Sequence, residues 1–238
     1  MADLVLLGDS FAALPAVFRE GQRIRNGMHT IVQLFLIRVL YAAILLMATM
    51  ALGGFPFTPK QNAILTFMTE GIPALALAAW AQPGTFPGRS FLRSLLRVVL
   101  PAALWISLVG VGVYLAELFA TSRIPVAQSA LTTFVVLCGV VLIPLIAPPI
   151  KTRIGSDAFL GDWRPSLLAF GLLVGYAMVL AIAPLRTLFD LAPLSINDYA
   201  LIGITAIAWA LGLCWIWRAR PIERFLQLDM REPSCAEN

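Results

Sequence analysis

Six apolar runs, each long enough to cross a bilayer, decide what this chain can become. They lie near residues 30–53, 61–81, 94–119, 127–149, 165–187 and 199–217. A helix rises about 1.5 Å per residue, so about 20 residues cover a hydrocarbon layer roughly 30 Å thick. No water reaches the backbone in that layer, so the runs are read as helices, which bond their own peptide groups. The expected fold is an all-α integral membrane protein, a six-helix transmembrane bundle in contact with the lipid bilayer. Composition agrees, since 60% of the 238 residues are hydrophobic and only 13% are charged, where a soluble domain has about 25% charged residues. The net charge is +4, and the basic residues lie between the apolar runs rather than along a stripe. Nucleic-acid binding is therefore not expected. Three cysteines, two of them inside spans, and a lone His29 form neither a disulfide framework nor a metal-ligand spacing.

Charge also orients the bundle. With the N-terminus in the cytoplasm, six crossings return the C-terminus there, and thirteen Lys and Arg residues fall on the cytoplasmic side. Only Lys60, Arg123 and Arg186 fall outside. By the positive-inside rule the chain is expected to be a multi-pass protein of the cell (plasma) membrane with both termini cytoplasmic.

Residues 1–28 precede the first span and read differently. Leu4-Val5-Leu6-Leu7 is expected to be a short buried strand, Gly8-Asp9-Ser10 a turn with a helix N-cap, and Phe11 to Met28 a helix. The apolar run is too short and too interrupted by acids for a signal peptide. One strand and one helix cannot bury a core, so this segment is expected to dock on something outside the chain.

The second run carries the chemistry. Thr58 to Pro73 contains Glu70 close to mid-span. A charge at the centre of a membrane helix costs about 2.5–3.5 kcal/mol on insertion scales, so such groups are usually functional. Thr66, Thr69, Glu70 and Pro73 follow the i, i+3, i+4, i+7 rule and are expected to share one helix face. Gly71 and Pro73 weaken the helix just past the carboxylate, because Pro73 lacks the amide that would bond the Thr69 carbonyl. An unwound turn there would offer oxygens to a cation, with Glu70, Thr69 and Thr66 as ion-binding residues and Glu70 as the metal ligand. The plainer reading makes Glu70 a protonated carboxyl bonded to a neighbouring helix. Arg38, in the first span, has two readings as well. It could snorkel about 10 Å to the headgroups, or it could be the charge partner of Glu70 across the hairpin Gly53–Thr58.

These residues resemble a known family. Thr69-Glu70-Gly71-Ile72-Pro73-Ala74 is similar to the Thr-Asp-Gly-x-Pro-Ala core of the sixth transmembrane helix of P-type cation-transporting ATPases. Pro59-Lys60-Gln61 matches the Pro-x-Gln that begins that helix. Ala2 to Leu7, Asp9-Ser10-Phe11 and Glu20-Gly21-Gln22-Arg23-Ile24 resemble the end of the family's phosphorylation domain and the stalk leading into the fifth helix. The resemblance is strong over residues 2–81 and a matter of span pattern over 82–218. It implies four regions. Residues 1–28 would be the end of the cytoplasmic phosphorylation domain and stalk, and 29–81 the fifth and sixth transmembrane helices of the ion pathway. Residues 82–218 would be a C-terminal four-helix membrane region, and 219–238 a cytoplasmic tail. Proton pumps of the family likewise carry an Arg in the fifth helix and one acid in the sixth.

Departures from the family pattern narrow the expectation. The positions at which calcium pumps carry Asn and Glu ligands in the fifth helix are Val39 and Ala42 here, and the motif's Asn and Asp are Thr66 and Glu70. Calcium sites take about 6–8 oxygens and usually several carboxylates, whereas this chain offers one, so a multi-site calcium arrangement like the muscle pump's is not expected, although the missing fourth helix could add ligands. Neither the Asp-Lys-Thr-Gly phosphorylation motif nor the family's magnesium-binding motif occurs. The resemblance thus implies no catalytic residue and no cofactor in this chain, with ATP and Mg2+ belonging to the full-length pump. The transported cation and the missing N-terminal part of the pump are the expected partners. Two other readings are an accessory subunit of a split pump and a stand-alone six-helix channel or carrier.

Overall fold

The computed structural model describes residues 14–51, 53–81, 91–146 and 163–219, without the side chains of 91–97 and 219. The expected strand at Leu4–Leu7 and the C-terminal tail lie outside the described residues. Among those described, eight α-helices are formed: α1 (Leu14–Ala51), α2 (Pro59–Thr66), α3 (Ile72–Trp80), α4 (Phe91–Thr121), α5 (Ile124–Ile146), α6 (Arg164–Ala181), α7 (Ala183–Leu188) and α8 (Ile196–Ala219). A π-helical turn, Phe67–Gly71, joins α2 to α3, so Pro59–Trp80 forms one 22-residue span. Six helical stretches among the described residues are long and apolar enough to cross a membrane. The chain is a multi-pass membrane protein.

Helix α1 has 38 residues, about 57 Å at the standard rise, far more than a hydrocarbon layer needs. Its charged first half, with Arg19 and Glu20 exposed and Arg23 half-buried, continues the span without a break. Arg23 Nη2 donates to the Ala79 carbonyl at 2.7 Å, which satisfies one of the last carbonyls of α3. Gly27 allows the close approach there, since a Cβ on it would stand 2.8 Å from Ala81 Cβ.

The α1–α2 hairpin is written in cap chemistry. Gly53 takes a left-handed φ of 79°, and the amides of Gly53 and Gly54 bond the carbonyls of Met50 and Thr49, a Schellman ending. Thr58 then caps α2. Its Oγ1 accepts from the Gln61 amide at 3.2 Å while its own amide donates to Gln61 Oε1 at 3.1 Å.

Helix α5 is the centre of the bundle. It contacts α4, α6, α8, α2 and the π turn, and is apolar on nearly every side, as a helix enclosed by others must be. Its side chains Leu131, Phe134, Val135 and Ile143 are fully buried. Helices α6 and α8 instead expose Leu167, Phe170, Ile204 and Leu211, residues suited to lipid. The fifth run ends earlier than its hydropathy indicates. Pro184 has no amide for the Leu180 carbonyl, the chain turns at Ile182, and Arg186 Nη1 reaches that carbonyl at 3.4 Å.

Gly171 and Gly175 form a small-xxx-small spacing, yet among the described residues nothing lies within 4 Å of a Cβ position on either. Trp105 and Trp209 join α4 to α8, with Trp105 Nε1 donating to the Trp209 carbonyl at 3.1 Å. A Cβ on Gly212 would stand 3.0 Å from the Trp105 ring.

Candidate functional site

The site forms where α1 passes the second span. Arg38 is only 9% exposed, and its guanidinium faces that span. Nη2 donates to Asn62 Oδ1 at 2.9 Å and to Thr66 Oγ1 at 2.7 Å. Nη1 lies 3.4 Å from Glu70 Oε2, an ion pair that closes without a hydrogen bond on Nη1. Glu70 Oε1 is buried with no hydrogen-bond partner among the described residues. Asn62, Thr66 and Glu70 thus follow one another at i, i+4 and i+8 beside a single arginine. Thr66 Oγ1 also donates to the Asn62 carbonyl at 2.7 Å.

The backbone at Glu70 does not unwind. Gly71 and Ile72 keep helical dihedrals of −57°, −60° and −65°, −48°, so the expected opening at Gly71 and Pro73 is replaced by a wider turn. The Ile72 amide reaches back five residues to the Phe67 carbonyl. The Met68 carbonyl therefore loses its i+4 donor, and Pro73 offers none to Thr69. The physical result resembles unwinding in one respect. Two consecutive carbonyls beside the carboxylate lack their helical partners.

The π turn also splits the face expected from spacing. Thr66 and Glu70 turn toward α1, while Thr69, 5% exposed, turns toward α5. Thr69 Oγ1 donates to the Leu65 carbonyl at 2.8 Å, and Thr69 packs against Gly139. Tyr41, 2% exposed, stands near Thr69 and within electrostatic range of Arg38 and Glu70. Pro73 is buried one turn beyond. Among the described residues no three His, Cys, Asp or Glu side chains gather as metal ligands, so Glu70 is a single carboxylate with neutral oxygens around it.

Two contributors escaped sequence reasoning. Asn62, a polar residue near a span end, gave no signal of its own in the sequence. Gln61, fully buried, anchors the outer end of the same span. Its Nε2 donates to the Asp190 carbonyl at 2.9 Å and to Ser129 Oγ at 3.4 Å, and its Oε1 accepts from Thr132 at 3.4 Å. Ser129 Oγ in turn accepts the Ala192 amide at 2.8 Å. At the surface Lys60 Nζ pairs with Asp190 at 3.1 Å.

Fold and site together define a polytopic helical membrane protein with a charged pair buried between its first two spans. Comparison with known proteins narrows this. The chain is 28% identical over 225 residues to the calcium-transporting ATPase CtpE of Mycolicibacterium smegmatis, covering 90% of this chain and 26% of that protein. It is 27% identical over 234 residues to the CtpE protein of Mycobacterium tuberculosis, covering 91% of this chain and 28% of that one. A shorter match, 31% over 115 residues, joins it to the probable cation-transporting ATPase exp7 of Streptococcus pneumoniae, with 44% of this chain and 15% of that protein covered. No family model matches. The chain is thus similar to cation-transporting ATPases over most of its own length, and it spans about a quarter of the length of the CtpE relatives it matches.

Proposed function

We propose that this chain is the C-terminal membrane half of an ATP-driven cation pump and supplies part of its ion pathway. Residues 29–81 carry that pathway, 1–28 end the phosphorylation domain and stalk, 82–218 support it, and 219–238 form a cytoplasmic tail. The rest of the pump brings ATP, Mg2+ and the aspartyl phosphate. Both termini face the cytoplasm, and the membrane is the plasma membrane.

The observation that carries this reading is the Arg38–Glu70 pair, 3.4 Å apart inside the bundle. An ionised pair away from water needs a reason, because desolvation costs more than a hydrophobic contact of the same size. Cation transport supplies one. Arg38 holds the charge of Glu70 while no ion is present, and an arriving cation takes the carboxylate in its place. The free Glu70 Oε1, the Thr66 hydroxyl and the two carbonyls lacking helical donors are the oxygens available to it on this face, while the Thr69 hydroxyl would have to leave its bond to the Leu65 carbonyl on the α5 side to join them. The CtpE relatives are named for calcium, and calcium is the cation proposed here. Its coordination takes about 6–8 oxygens, so the upstream part of the pump completes the site.

The test uses the full-length pump. Glu70→Gln should abolish calcium-stimulated phosphoenzyme turnover while nucleotide binding persists. Thr66→Ala and Thr69→Ala should only weaken apparent calcium affinity, since each removes one neutral oxygen. A Glu70→Gln pump with normal calcium-dependent turnover would remove the pathway from this span.

A further inference from the structure

Thr69 does not stand free in the bundle; it is pressed against the backbone of α5 at Gly139. A Cβ on Gly139 would lie 2.6 Å from Thr69 Cγ2 and 3.0 Å from Thr69 Cβ. Real Cβ atoms do not come that close, so the two helices meet there only because residue 139 has no side chain. Gly139 lies within α5, the most enclosed helix of the bundle. Its neighbours Cys138 and Val140 are fully buried, which leaves α5 little room to retreat.

The contact falls on the π turn. Thr69 is its central residue, Glu70 follows, and the turn's wider backbone is what meets α5. Arg38 and Tyr41 of α1 face the same turn. The turn is therefore held between two helices, and its position fixes how far Glu70 stands from Arg38. We propose that Gly139 is a positioning residue for the cation site. By having no side chain, it seats Thr69 against α5 and so sets the place of Glu70. Any side chain at 139 drives the turn toward α1 and compresses the carboxylate against Arg38. This rests on the reading of Glu70 given above, and it adds a residue from a distant helix that contributes no ligand atom.

The geometry provides its own rescue. Thr69→Ser deletes the methyl that a new Cβ would strike first and keeps the hydroxyl that bonds the Leu65 carbonyl. In the full-length pump, with calcium as the probe and phosphoenzyme formation as the readout, Gly139→Ala should raise the calcium concentration for half-activation about tenfold. Thr69→Ser alone should shift it by no more than about threefold, and the double variant should return to within about threefold of wild type. Gly171→Ala, at a glycine with open space around it, should change nothing. A wild-type calcium response from Gly139→Ala, or a double variant no better than Gly139→Ala alone, overturns the proposal. If Gly139→Ala does not accumulate in the membrane, Thr69→Ser must restore its accumulation, and failure to do so overturns it as well. Glu70→Gln, run in parallel, separates the two claims. If Glu70→Gln abolishes the calcium response and Gly139→Ala leaves it intact, only the role of Gly139 falls. If Glu70→Gln responds normally, the cation site itself falls.

Discussion

Arg38 and Glu70 hold one another in place, but unequally. Arg38 has Asn62 and Thr66 as well as the carboxylate, whereas among the described residues Glu70 has only Arg38. Removing Arg38 therefore leaves a buried acid without that partner, while Glu70→Gln leaves the guanidinium its two neutral acceptors. Breaking a buried pair from one side costs about 3–5 kcal/mol. Arg38→Ala should thus lower the unfolding free energy in detergent by about 3 kcal/mol, and Glu70→Gln by distinctly less. The Arg38→Ala/Glu70→Gln double variant should recover part of the loss, because both charges are then gone. Equal effects of the two single changes, adding without coupling in the double, would mean that the pair does not exist in the membrane. Of the residues involved, Glu70, Thr66 and Arg38 could be read from the sequence, because a charge in an apolar run stands out. Asn62 could not, since a polar residue near a span end has no such contrast.

At the scale of the helix, the second span is fixed at its outer end and widened in its middle. Gln61, itself fully buried, ties α2 to α5 and to the chain at Asp190, whereas the Lys60–Asp190 pair beside it is open to solvent, with side chains 57% and 43% exposed. Exposed pairs are worth about 0–1 kcal/mol, and unpairing buried polar groups costs about 1–3 kcal/mol. Gln61→Ala should therefore destabilise the bundle by about 1–3 kcal/mol, and Lys60→Ala by under about 1 kcal/mol, as read from thermal unfolding of the purified protein. The reverse ranking would place the joint at the surface. Span positions were legible because hydropathy sums over about 20 residues and tolerates local error. The π turn was not, since Gly71 and Pro73 announce a weakened helix but not how the backbone relaxes. Nor did spacing show which glycines make contacts. Gly139 meets Thr69, while the patterned Gly171 and Gly175 meet nothing within the described chain, because contact depends on a neighbour far away in sequence.

The whole molecule is a bundle arranged round α5, with the charged pair to one side where α1 and the second span meet. Its orientation rests on the distribution of Lys and Arg, and labelling can test it directly. In a chain with its own cysteines replaced by alanine, a cysteine at Ser122 should react with an impermeant reagent from outside. One at Arg19 should react only after the membrane is opened, and the opposite pattern would invert the topology. Two features make a cation pump rather than a passive bundle the better account. The sequence similarity runs over nine-tenths of the chain, and a buried ion pair carries a desolvation cost that a structural contact alone does not require. The most direct measurement is equilibrium binding of radioactive calcium to the purified full-length pump without ATP, for wild type and Glu70→Gln. A cation site at Glu70 predicts saturable binding to the wild type and its loss in Glu70→Gln with folding retained. Binding of equal affinity and stoichiometry in both would contradict it.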